Sequence, residues 1–148
     1  MKPILWTHEQ FGAMSWHDNH VHGFSIREGR HGEGELLLDL DYILEWLKAP
    51  HGIEFRIVPA QLRFIDVTHL RIALDYASAT AALAPFSIHS VERQFEEREG
   101  YVAQLWRIVV NWPIGEVTFE ASGYEQRSTG VALVSAEQCL RPDQRGAA

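Results

Sequence analysis

Glu35-Leu36-Leu37-Leu38-Asp39-Leu40-Asp41-Tyr42-Ile43-Leu44-Glu45-Trp46 is the stretch that decides how this chain folds. Leu36, Leu38, Leu40, Tyr42, Leu44 and Trp46 are apolar, while Glu35, Asp39, Asp41 and Glu45 are acidic; Leu37 and Ile43 break the alternation. Side chains on a strand point to opposite faces in turn, so this run is a half-buried strand with its leucines inward. The rival is a helix, because Leu and Glu favour one. Asp39 and Asp41 weigh against it, since Asp competes for backbone hydrogen bonds inside a helix.

Outward from this run, residues 14–27 are also extended in character. Glu28-Gly29-Arg30-His31-Gly32-Glu33-Gly34 lies between the two as a glycine-rich loop, and the whole predicts a long antiparallel hairpin. Residues 53–58 read as a short strand stopped by Pro59, which cannot donate to a ladder. Leu62 and Phe64 alternate with Arg63, and Leu70, Ile72, Leu74 and Tyr76 with His69, Arg71 and Asp75, giving two further strands. Residues 77–85, rich in alanine, read as a loop or a short helical turn. Residues 86–98 carry a mixed pattern, and strand is preferred because the run leads through Glu99-Gly100 into the next one. Val102, Trp106, Ile108, Val110 and Trp112 mark that strand; Pro113-Ile114-Gly115 turns it, and Val117, Phe119 and Ala121 mark the return. From about residue 140 the polar C-terminus is expected to be a loosely ordered tail. The sum is a mostly β fold of about eight strands and few helices, an antiparallel β-sandwich or open barrel, forming a single domain over residues 1–148.

The chain is long enough to bury a core without staples. Its net charge of −7 argues against nucleic acid, whose phosphates call for a basic face. Eight histidines make that charge pH-sensitive: full protonation would take it to about +1. A single cysteine, Cys139, excludes an internal disulfide and zinc sites of paired cysteines. No apolar leader follows Met1 and no run reaches membrane-spanning length, so a cytoplasmic protein with no membrane partner is expected.

Chemistry concentrates in Trp16-His17-Asp18-Asn19-His20-Val21-His22-Gly23. At a period of two, Asp18, His20 and His22 share one face of a strand, where imidazole and carboxylate can hold a divalent transition metal or relay a proton. Their setting depends on the hairpin register. If paired residue numbers sum to 62 throughout, His20 and His22 face Leu40 and Tyr42 and are structural; this keeps Trp16, Phe24 and Ile26 inward and is preferred. If a bulge near Gly23 shifts the pairing by one, His20 and His22 join Asp39 and Asp41, a set suited to zinc, manganese or iron. A cupin-like barrel would add Glu28 or Glu33 and His69 or His89. Asp-x-His-x-His-Gly is similar to the first metal motif of metal-dependent hydrolases, but those are longer (β/α)8 barrels. Ser15, His17 and Asp18 do not form a triad, because neighbours on a strand face opposite ways, and Cys139 reads as an idle thiol.

Trp46, Trp106 and Trp112 lie in core registers, while Trp6 and Trp16 have a second reading as exposed anchors. Asp39 and Asp41 read as a solvated face or as a docking stripe for a basic partner. Three phrases, Trp16-His17-Asp18 through Gly23, Leu38-Asp39-Leu40-Asp41-Tyr42-Ile43 and Asn111-Trp112-Pro113-x-Gly115-Glu116-Val117-x-Phe119, resemble a family of small uncharacterised bacterial proteins with no assigned activity. With no complete catalytic set, the expectation is a non-enzymatic binding or interaction domain for a protein or small-molecule partner, met by His17, Asp18, His20, His22, Asp39 and Asp41. The alternative is a metal-binding β protein with Asp18, His20 and His22 as ligands.

Overall fold

A computed structural model describes residues 2–77 and 82–146, so part of the 77–85 connection lies outside the described residues. The strands are β1 Leu5–Thr7, β2 His20–Glu28, β3 Gly34–Ala49, β4 Gly52–Leu74, β5 Phe86–Arg98, β6 Tyr101–Trp112, β7 Gly115–Glu120, β8 Gly123–Ser128 and β9 Leu133–Ser135, with 3-10 turns at His8–Ala13 and Pro142–Gln144. Among the described residues, these nine strands join one antiparallel sheet. Along β4-β3-β2-β5-β6-β7 each strand pairs with the next, and β7 pairs again with β4, so six strands close a ring. The ring is thinnest where β2 meets β5 through His20↔Ser87 and Val21↔Phe86, extended by two backbone bonds, Asp18 N to Ile88 O and Ile88 N to Asn19 O. The mostly β, antiparallel expectation therefore holds, in the form of a barrel nearly open at one seam.

The alternation at residues 35–46 sets the core. Leu36, Leu38, Leu40 and Tyr42 of β3 turn inward against Ala60, Leu62 and Phe64 of β4 and Trp106 and Ile108 of β6. Phe64, Trp106 and Tyr124 meet edge-on at centroid distances of 5.2–5.7 Å, the arrangement aromatic quadrupoles favour. A bulge between Ile43 and Glu45 then flips the register, so Trp46 pairs with Phe55 on the outer face and is 50% exposed. Trp46 is thus not a core residue as its spacing predicts, and neither is Trp112, 40% exposed at the end of β6. Trp16 is buried, and Trp6 packs against the core.

Two further expectations are corrected. Pro59 does not stop a strand: β4 runs unbroken for 23 residues. The Pro59 carbonyl accepts from Thr129 N, on the edge where β9 pairing ends at Ile57 and β8 pairing begins at Ala60. A strand residue's N and C=O face the same side, so the missing N–H falls in the gap between β8 and β9. Nor is the chain loose from residue 140. Leu140 is 1% exposed and joins Ile43, Phe55 and Ile57 in a second apolar cluster on the outer face of β3 and β4. Ile43, one of the two breaks in the alternation, is buried there. Among the described residues no helix is long and apolar enough to cross a membrane.

Candidate functional site

Trp16 anchors the histidine segment: its indole N–H donates to Gln126 Oε1 at 2.8 Å within the core. The chain then turns, with Asn19 N donating to Trp16 O and Asp18 at φ 62 in the left-handed region that Asp tolerates. β2 begins only at His20, so Asp18 lies outside the strand and its side chain leaves the period-two row. Its carboxylate instead accepts from Asn111 Nδ2 and Gln138 Nε2, both at 3.0 Å, with His17 Nε2 3.5 Å away. His17 Nδ1 meets the His89 carbonyl at 3.0 Å. His20 Nδ1 donates to the Asp18 carbonyl at 3.1 Å, and burial lowers the His20 pKa.

The hairpin takes both registers in turn. From Gly23↔Asp39 to Glu28↔Gly34 the pair numbers sum to 62; His20↔Asp41 and Val21↔Leu40 sum to 61, with a bulge between Val21 and Gly23. The preferred unbroken register is therefore overturned at the residues that matter. Val21 takes the inward position, buried beside Leu40. His22, the extra residue, turns to the outer face and places Nε2 2.7 Å from Asp41 Oδ2. The same oxygen accepts Leu140 N at 2.8 Å, and Arg145 grips Asp41 Oδ1 with Nη1 and Asp39 Oδ1 with Nη2. Asp41 is 0% exposed, so these three donors take the place of water. Burial, then the Arg145 guanidinium, pushes the His22 imidazole down to about 4 against the opposing pull of Asp39. A neutral ring that donates Nε2–H to the carboxylate follows.

Cys139 Sγ stands 3.9 Å from His22 Nε2. His22, Asp41 and Cys139 each bring one ligand atom to a point where all lie within 4.8 Å of one another, a possible metal-binding cluster. The thiol pKa is raised by burial and by Glu137. Among the described residues, Asp18 and His20 do not cluster with His22 as the sequence set would require; the donors that do cluster with His22 are Asp41 and Cys139. Of the proposed extra ligands, Glu33 caps its own loop at Arg30 N and His31 N, and His69 lies 3.0 Å from Glu120. Asp39 and Asp41 both pair with Arg145 of the same chain. Sequence reasoning misses Asn111, Gln138, Cys139 and Arg145 as members of this neighbourhood, because each reaches it across more than 90 residues of chain.

Beyond Val21, β2 runs on with no β5 partner, because β5 begins at Phe86. A pocket of about 240 Å³ opens there, lined by His22, Phe24, Leu74, Tyr76, Leu83 and Phe86, among others. Phe24 is 45% exposed, and Ile72, Leu83, Trp112 and Ile114 also show apolar surface at this end of the barrel. Comparison of the chain with family models, curated proteins and solved structures returned no match.

Proposed function

We propose that this protein is a non-enzymatic binding domain that takes a small apolar molecule at the barrel mouth between β2 and β5. The observation that carries the reading is the pocket at the two-pair seam, where Phe24, Leu74, Tyr76 and Phe86 form apolar walls and His22 supplies a polar group. Ligand sites combine these features, an apolar concavity with few polar groups. At about 240 Å³ it suits a ligand no larger than a ring or two. The carboxylates beside it support binding over catalysis. Asp41 and Asp18 are held by internal donors, so neither stands free as a base. The test is titration with the apolar fluorophore ANS. Phe24→Ser should weaken binding about tenfold with little change in melting temperature, since Phe24 is half-exposed. Equal ANS binding by the variant and the parent protein refutes the mouth as the site.

A second reading has its own observation. The convergence of nitrogen, oxygen and sulfur donors at His22, Asp41 and Cys139 favours a divalent transition metal of the zinc or cobalt type. Cobalt(II) added to the reduced protein should give a thiolate-to-metal charge-transfer absorption that Cys139→Ser removes. A parent protein that gives no such band counts against this reading.

A further inference from the structure

We propose that Arg145 is a tethered cation that holds this metal site closed, so that a divalent ion and the C-terminal guanidinium compete for the same carboxylates. The inference rests on the second reading above. His22 and Asp41 come from neighbouring strands, and Cys139 comes from the C-terminal segment. The proton on His22 Nε2 now bridges to Asp41 Oδ2; a metal seated among the three donors would take that place, with the ring proton moving to Nδ1 and the Cys139 thiol proton released to solvent. The opposite side of the site is already charged. Arg145 Nη1 sits on Asp41 Oδ1 and Nη2 on Asp39 Oδ1, and the Arg145 side chain is only 12% exposed.

A guanidinium and a dication this close repel each other in a poorly solvated setting, so metal entry displaces Arg145. Its departure also frees the Asp39 carboxylate, which shares that guanidinium with Asp41. The short 3-10 turn at Pro142–Gln144 carries Arg145 and packs no buried residue, so it can leave without opening the core. Leu140, which is buried, stays and keeps Cys139 in position.

The experiment titrates cobalt(II) chloride into the reduced full-length protein and into Arg145→Gln, Cys139→Ser and the double variant. Arg145→Gln should bind cobalt about tenfold more tightly than the parent protein, because the closed state no longer competes. Its charge-transfer band should vanish in the double variant. Equal affinity in Arg145→Gln and the parent overturns the tethered-cation inference and leaves the metal site standing. Absence of the band from both overturns the inference together with the metal reading. If Arg145→Gln does not fold, hydrogen exchange on the parent protein decides: zinc should speed exchange in residues 141–146 and slow it at 138–140. Unchanged exchange at 141–146 with zinc bound overturns the inference.

Discussion

Removing the Asp41 carboxylate should be the most damaging single polar change in this protein. Asp41 is 0% exposed, and its two oxygens serve His22 Nε2–H, Leu140 N–H and Arg145. In Asp41→Ala the Arg145 guanidinium, 12% exposed, keeps only Asp39, which is itself half-exposed, and the Leu140 N–H loses its acceptor. Breaking a buried ion pair from one side costs about 3–5 kcal/mol, and a buried unpaired N–H costs about 1–3 kcal/mol. The two costs overlap, because one carboxylate serves both groups, so about 4 kcal/mol is expected. That is a large share of the roughly 5–15 kcal/mol that holds a domain folded, and it should lower the melting temperature by about 10 °C. Urea denaturation of Asp41→Ala, Arg145→Ala and the double variant measures the coupling directly. The cycle should return about 2 kcal/mol or more, since each side chain loses its main partner in the single variants. A coupling below about 0.5 kcal/mol, or an Asp41→Ala cost under about 1 kcal/mol, refutes the view that this ion pair clasps the C-terminus to the barrel.

Leu140→Ala should cost about 2–4 kcal/mol in chemical denaturation, because Leu140 is 1% exposed against Ile43, Phe55 and Ile57; a cost under about 0.5 kcal/mol would show the C-terminal segment to be dispensable. Trp16→Phe should cost about 1–3 kcal/mol by the same assay, since it leaves the buried Gln126 Oε1 without its donor beside a Gln126 Nε2 that already has no partner. His22 should titrate by NMR with a midpoint near 4, below the ordinary histidine value of 6.5. Because the folded value is the lower one, the unfolded chain binds the proton first. His22 therefore contributes stability at neutral pH that is lost as pH falls from about 6.5 towards 4. A His22 midpoint above 6 would contradict this.

The period-two alternation, with the turn signals between runs, was enough to determine the fold class of this chain. Leu36, Leu38, Leu40 and Tyr42 face inward as their spacing requires, because a period of two leaves a strand only one way to bury four large apolar side chains. The same local rule failed wherever a single extra residue shifted the pairing. The bulge at His22 moved that ring from the core face to Asp41, and the irregularity at Leu44 turned Trp46 outward. A bulge has no composition of its own here: it is set by which neighbour each strand can pair with, and that depends on the closed ring. The site likewise lay beyond local pattern. Asp39 and Asp41 read from the sequence as a solvated face or a docking stripe, yet Asp41 is buried and both pair with Arg145, more than 100 residues further along the chain. Only tertiary structure could supply it, because burial of Leu140 against Ile43 and Ile57 is what carries the C-terminal segment back across the sheet.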